Sequence, residues 1–159
     1  MEKIIIASDH AGFALKEKLK AYLRKRKFQV QDAGAFSRER CDYPDYAAAL
    51  ARAISKGTFK RGILICKSGI GNSIVANRFA GVRAALGYSV AAARLSRKHN
   101  DSNVLVLGSS FVSNATAQRM LSVWLCTEFE GGRHQKRLMK IKKIEQEIGA
   151  GKYEKLTHC

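Results

Sequence analysis

Ile63-Leu64-Ile65-Cys66-Lys67-Ser68-Gly69-Ile70-Gly71-Asn72-Ser73 places a thiol at the end of an apolar run, followed by a glycine-rich turn. The run reads as a buried strand and the residues after the turn as the start of a helix. A helix N-terminus presents unpaired N–H groups and partial positive charge, which favour an anion and the thiolate form of a nearby cysteine. A thiolate beside an anion cradle can move a proton. The same residues also fit a plainer role, because cysteine is often a small buried hydrophobe.

Three further groups of polar residues carry chemistry. Asp9 and His10 follow the first apolar run, where they could polarise a substrate oxygen or hold a phosphate. Equally, Ser8 or Asp9 could cap the following helix by accepting backbone N–H bonds. His99 and Asn100 stand in the polar stretch Arg97–Asn103, where a lone histidine is commonly a surface residue. Arg133 and Arg137 are four apart and share a helix face. Two guanidinium forks on one face suit a phosphate, or else form a solvated basic face.

The elements that must position these residues alternate. Strands are predicted over Lys3–Asp9, Phe28–Asp32, Gly62–Cys66, Val82–Leu86 and Asn103–Leu107. Helices are predicted over Ala14–Arg26, Asp42–Lys56 (with Pro44 in its first turn), Ile70–Phe79, Ser89–Lys98, Asn114–Thr127 and His134–Ile148. Five strand–helix repeats imply an α/β fold, a Rossmann-like three-layer α/β/α sandwich around a five-stranded parallel sheet, with an extra C-terminal helix. The strands are continuously apolar, as in parallel sheets covered on both faces. One domain over residues 1–148 and a loosely attached tail over 149–159 account for the chain.

Ligands of such sheets bind at the carboxyl ends of the strands, near a topological switch. Asp9, His10, Cys66, Lys67 and Ser68 fall on that edge. His99 precedes the fifth strand and falls on the opposite edge. It could join Cys66 in one site only across a subunit interface.

The composition narrows the function classes. The 29 Lys and Arg against 13 Asp and Glu set a formal charge of +16, which attracts phosphorylated metabolites, nucleic acid or anionic lipid. No basic–aromatic motif accompanies the charge, so nucleic acid is not the expected partner. No apolar run approaches the length of a membrane span, and the N-terminus lacks the features of a signal peptide. The four cysteines, Cys41, Cys66, Cys126 and Cys159, show no metal-ligand spacing, and a reducing cytoplasm is the expected location. No GxGxxG follows the first strand, so a dinucleotide is not expected.

Five stretches, SDHAGFALKEKLKAYL, DYPDYA (42–47), GILICKSGIGNSIVANRFAGVRAAL (62–86), ARLSRKHNDSNVLVLG (93–108) and WLCTEFEGGRHQKR (124–137), together resemble the type B ribose-5-phosphate isomerases. That family also includes the allose- and galactose-6-phosphate isomerases. The resemblance implies interconversion of ribose 5-phosphate and ribulose 5-phosphate, a step of the pentose phosphate pathway, through a cis-enediolate and with neither metal nor other cofactor. It places Cys66 as the base, and Ser68 with the N–H groups of Gly69, Ile70 and Gly71 as the enediolate cradle, beside Lys67. It makes His99 the residue that assists ring opening, Asp9, His10 and Asn100 substrate contacts, and Arg133 and Arg137 the phosphate clamp. It implies a homodimer, or a tetramer, with each site between two subunits. Three positions depart from the family pattern. Lys67 replaces a glycine, Asn72 stands where methionine is common, and Ser110 stands where many members carry arginine. These departures bear on which sugar phosphate is used, and a six-carbon substrate such as allose 6-phosphate is the alternative. A non-catalytic relative that binds a phosphorylated ligand or RNA is the other.

Overall fold

A computed structural model describes residues 2–151. The elements are β1 (Lys3–Ser8), α1 (Phe13–Lys25), β2 (Gln29–Asp32), α2 (Tyr43–Ser55), β3 (Arg61–Cys66), α3 (Ile70–Ala76), β4 (Ala84–Gly87), α4 (Val90–Asn100), β5 (Val104–Gly108), α5 (Asn114–Cys126) and α6 (Arg133–Gly149). All strand pairs are parallel, in the order β2-β1-β3-β5-β4. The expected five-stranded α/β sandwich with an additional C-terminal helix is what forms. Of the tail expected over 149–159, Gly149 belongs to α6, and residues 152–159 lie outside the described residues.

Alternation along each strand splits the core in two. Ile4, Ile6, Ile63, Ile65, Leu105 and Leu107 face α1, α4 and α5, around the fully buried Trp124. Ile5, Ala7, Leu64, Val104 and Val106 face α2 and α3. Because both faces are covered, the strands bury successive residues, which explains their uninterrupted apolar sequence. After β1 the chain moves outward to β2 and then returns to add β3 on the other side. This switch sits between β1 and β3, and Ser8 pairs with Ile65 at its carboxyl edge.

Two elements differ from the sequence expectation in ways that matter. Helix α3 ends at Ala76 rather than Phe79. The Asn77 carboxamide donates to Ser73 O (3.0 Å) and Ala84 O (2.9 Å) and accepts from Ala84 N (2.9 Å), so it turns the chain into β4, which starts at Ala84 rather than Val82. Helix α4 extends two residues past Lys98, so His99 lies in a helical last turn and not in a loop. Asp101 closes it in the left-handed region at φ 43°, held by Arg97 Nη1 at 2.7 Å. Among the described residues no helix is long and apolar enough to cross a membrane.

Candidate active site

Strand β3 delivers Cys66 to the carboxyl edge on the α2/α3 side, the same side as Leu64, with only 4% of its surface exposed. Gly69 N donates to Cys66 Sγ at 3.1 Å. This bond requires the backbone at Gly69 to turn through φ 82°, where glycine is unstrained, and a Cβ there would lie 2.5 Å from Leu86 Cδ1. Ser68 Oγ accepts from Ile70 N at 3.3 Å. The end of β5 secures the turn from the other side, with Ser109 N donating to Cys66 O (2.8 Å) and Ser110 N to Lys67 O (3.0 Å). Lys67, the departure from glycine, is exposed and outside the positive-φ region. Gly71 also has a packing reason, since a Cβ there would sit 2.5 Å from the Tyr43 ring, which covers the first turn of α3.

Replacing Gly69 by alanine is therefore expected to cost about 1–3 kcal/mol in backbone strain. It also moves the N–H that faces the sulfur. A lowered melting temperature together with reduced turnover is the expected result, read by calorimetry and steady-state kinetics on the same preparation.

Asp9 and His10 continue from β1 beside this turn. Asp9 is buried, its Oδ1 accepts from Gly12 N at 2.8 Å, and its own N–H donates to Ile65 O at 3.3 Å. Asp9 thus accepts from the residue that precedes α1 and does not cap the helix, whose N-cap Gly12 makes no side-chain capping bond, while the buried Ser8 Oγ makes no hydrogen bond. The His10 ring is held through Nδ1, which lies 3.2 Å from Cys41 N and 3.1 Å from Cys41 O. Its Nε2 makes no hydrogen bond among the described residues.

His99 and Asn100 end α4 at the opposite, amino-terminal edge, and Arg133 and Arg137 start α6 beside them. Within one chain the predicted residues thus fall into two groups, each a candidate half-site. Cys66, Lys67, Ser68, Gly69, Ile70, Gly71, Asp9 and His10 stand at one end of the sheet. His99, Asn100, Arg133 and Arg137 stand at the other.

Sequence reasoning missed two members of the second half-site. The His134 ring stacks on His99, with centroids 4.2 Å apart and planes 8° from parallel. It is 4% exposed, and its Nε2 accepts from Arg133 Nε at 3.4 Å. Burial, then the charges of His99, Arg133 and Arg137, hold its pKa below the ordinary histidine value, against the opposing pull of Glu130. Glu130 places Oε2 3.8 Å from His99 Nε2 and 3.5 Å from Lys98 Nζ. His134 was visible in the sequence only as the residue between two candidate arginines, with no periodicity to mark it.

Among the described residues, His99, Glu130 and His134 are the group whose possible ligand atoms come together, within 4.8 Å of one another. Imidazole lone pairs lie in the ring plane. Two rings stacked 8° from parallel keep theirs in separate, nearly parallel planes, which do not converge at the ~2.0–2.1 Å a zinc ion needs. The Nε2 lone pair of His134 is also directed at Arg133.

A parallel α/β sandwich with a thiol at its switch point and basic groups at the far edge defines the class, and comparison narrows it. The ribose/galactose isomerase family model matches residues 4–141. Ribose-5-phosphate isomerase B of Escherichia coli (strain K12) is 47% identical over 146 residues, spanning 92% of this chain and 98% of that protein. The solved ribose-5-phosphate isomerase B of Clostridium thermocellum superposes with a TM-score of 0.90 at 44% identity, covering 92% of this chain and 99% of that one. The Mycoplasma genitalium ribose-5-phosphate isomerase B, solved with bound ribulose 5-phosphate, superposes with a TM-score of 0.88 at 41% identity, covering 91% and 97%. The chain belongs to the ribose/galactose isomerase family.

Proposed function

We propose that the protein interconverts ribose 5-phosphate and ribulose 5-phosphate, with Cys66 as the base. The observation that carries this reading is the buried Cys66 sulfur under the Gly69 N–H at 3.1 Å, at the switch point of the sheet. A charge-assisted bond from a fixed donor stabilises a thiolate more than a thiol.

The thiolate takes the proton from C2 of the open-chain aldose and leaves a cis-enediolate. The same proton, returned to C1, gives the ketose, while the hydroxyl proton passes from O2 to O1. Electrons and protons stay within one substrate molecule, so the chemistry calls for no redox cofactor. The Ser68 hydroxyl, its oxygen held by the Ile70 N–H, and the Gly71 N–H stabilise the developing negative charge. The Gly69 N–H serves the sulfur instead.

Asp9, His10 and Lys67 hold the sugar from the Cys66 side. His99 opens the ring, Asn100 contacts the substrate, and Arg133 and Arg137 bind the phosphate from the partner subunit. A two-fold dimer reconciles the two half-sites. The exposed apolar residues Ile70 and Ile74 on α3, Leu95 on α4 and Met139, Ile141 and Ile144 on α6 supply surface for it. The free thiols of Cys41, Cys66 and Cys126 fit a reducing, cytoplasmic location.

Measured side by side, kcat/KM is expected to be at least about tenfold higher for ribose 5-phosphate than for allose 6-phosphate, the scale on which a pocket discriminates a small group. The reverse preference would assign a six-carbon substrate, for which the small, exposed Ser110 beside Lys67 leaves room.

A further inference from the structure

Five charged or titratable neighbours crowd the amino-terminal half-site: Lys98 and His99 from α4, Glu130 from the connection before α6, and Arg133 and Arg137 on α6 itself. His134 sits among them almost fully buried, and it makes two contacts of different kinds. Its face lies flat on the His99 ring at 4.2 Å. Its edge accepts from Arg133 Nε at 3.4 Å. An accepting Nε2 leaves the ring proton on Nδ1, so the imidazole is neutral.

Each contact restrains a residue that otherwise has freedom to move. His99 ends a helix and is half-buried, with Glu130 too far away at 3.8 Å to fix its ring plane by a hydrogen bond. Arg133 is exposed at the first position of α6, where a long side chain samples many rotamers. The parallel stack fixes the plane of the first, and the Nε bond fixes the stem of the second. Arg133 then presents its two terminal Nη groups, with the four N–H donors that remain.

We infer that His134 is a positioning residue that couples the two functions of this half-site, holding His99 through its ring face and Arg133 through its ring nitrogen. It touches neither the reacting carbons nor the phosphate, and it acts through these two neighbours. This inference rests on the proposed roles of His99 and Arg133.

The two contacts can be separated by substitution. His134→Phe keeps a flat ring against His99 and removes the acceptor. His134→Gln keeps an acceptor near Arg133 and removes the ring. With ribose 5-phosphate as substrate, His134→Phe is expected to hold kcat within about threefold of wild type and raise KM about tenfold, the loss of one ordered charge-assisted contact. His134→Gln is expected to do the opposite, lowering kcat about tenfold or more with KM little changed, since small misplacement of a catalytic group is costly. A residue that merely fills space would change both parameters alike in the two variants, and that result overturns the proposal.

Added to His99→Ala, His134→Gln is expected to lower kcat no further, because the group it positions is gone. An additive loss would overturn the coupling. If His99→Ala itself keeps wild-type turnover, the reading of His99 fails and the inference falls with it. If His99→Ala loses turnover but His134→Gln does not, the positioning role alone fails.

Discussion

Cys66→Ala is expected to lower kcat for ribose 5-phosphate by about 10²–10⁴-fold, the usual contribution of a positioned general base, with KM little affected. The methyl group fills most of the space of the buried side chain, so the fold should survive. The sulfur has one defined hydrogen-bond donor, Gly69 N, and it is the side chain that β3 delivers to the turn. Retained turnover would place the base elsewhere.

The same variant tests the shared site. Cys66→Ala protomers carry an intact His99 half-site, and His99→Ala protomers an intact Cys66 half-site. Refolded together in equal amounts, half the dimers pair one of each, and each such dimer rebuilds one of its two sites. Recovery of about a quarter of wild-type activity from two impaired preparations is the expected outcome for a two-fold dimer. Activity no higher than the mean of the two parents would show that each chain works alone.

The second large effect concerns stability. Lys16 is fully buried on α1. Its Nζ donates to Asp32 Oδ1 and Oδ2 at 2.7 and 2.9 Å and to Ala35 O at 2.6 Å, and lies 5.4 Å from the ring centroids of Phe13 and Phe36. Lys20 also bonds to Asp32. Lys16→Met keeps most of the volume but strands a half-buried carboxylate and a buried carbonyl. Removing one partner of such a pair costs about 3–5 kcal/mol. For a chain of this length that is roughly 6–20 °C in melting temperature. A shift under 2 °C would mean that Lys20 alone satisfies Asp32.

Asp32 adds a pH dependence. Burial pushes its pKa up, but hydrogen bonds from Lys16 and Lys20, with one from Gly34 N, outweigh it and leave the pKa below the ordinary carboxylate value. The folded state thus binds this proton less readily than the unfolded chain. The resulting stability is fully present above the unfolded pKa near 3.9 and is lost as pH falls through the lower folded value. The acid limb of the unfolding profile should flatten in Lys16→Met.

The sheet and the first half-site were legible because their signals are local. Ile4-Ile5-Ile6 and Ile63-Leu64-Ile65 are apolar on both faces, which only a doubly covered strand tolerates, and Cys66 and Gly69 follow at once in the chain. What escaped depends on residues distant in sequence. Nothing before Asn77 announces that its carboxamide will pair with Ala84 and cut α3 short. His134 becomes informative only when the fold sets it on His99, 35 positions earlier. The buried Lys16 reads as one more cation of a basic helix until Asp32 and Ala35 O close around it.

If the site is shared as proposed, the separation of its halves to opposite ends of the strands also constrains how copies assemble. Chains added head to tail would join one copy's carboxyl edge to the next copy's amino edge, leaving an orphan half at each end of an open filament. A rotation axis across the strands makes both pairings at once and then stops. In the proposed two-fold dimer, the thiol of each copy meets the stacked histidines of the other, and no half-site is left without its counterpart.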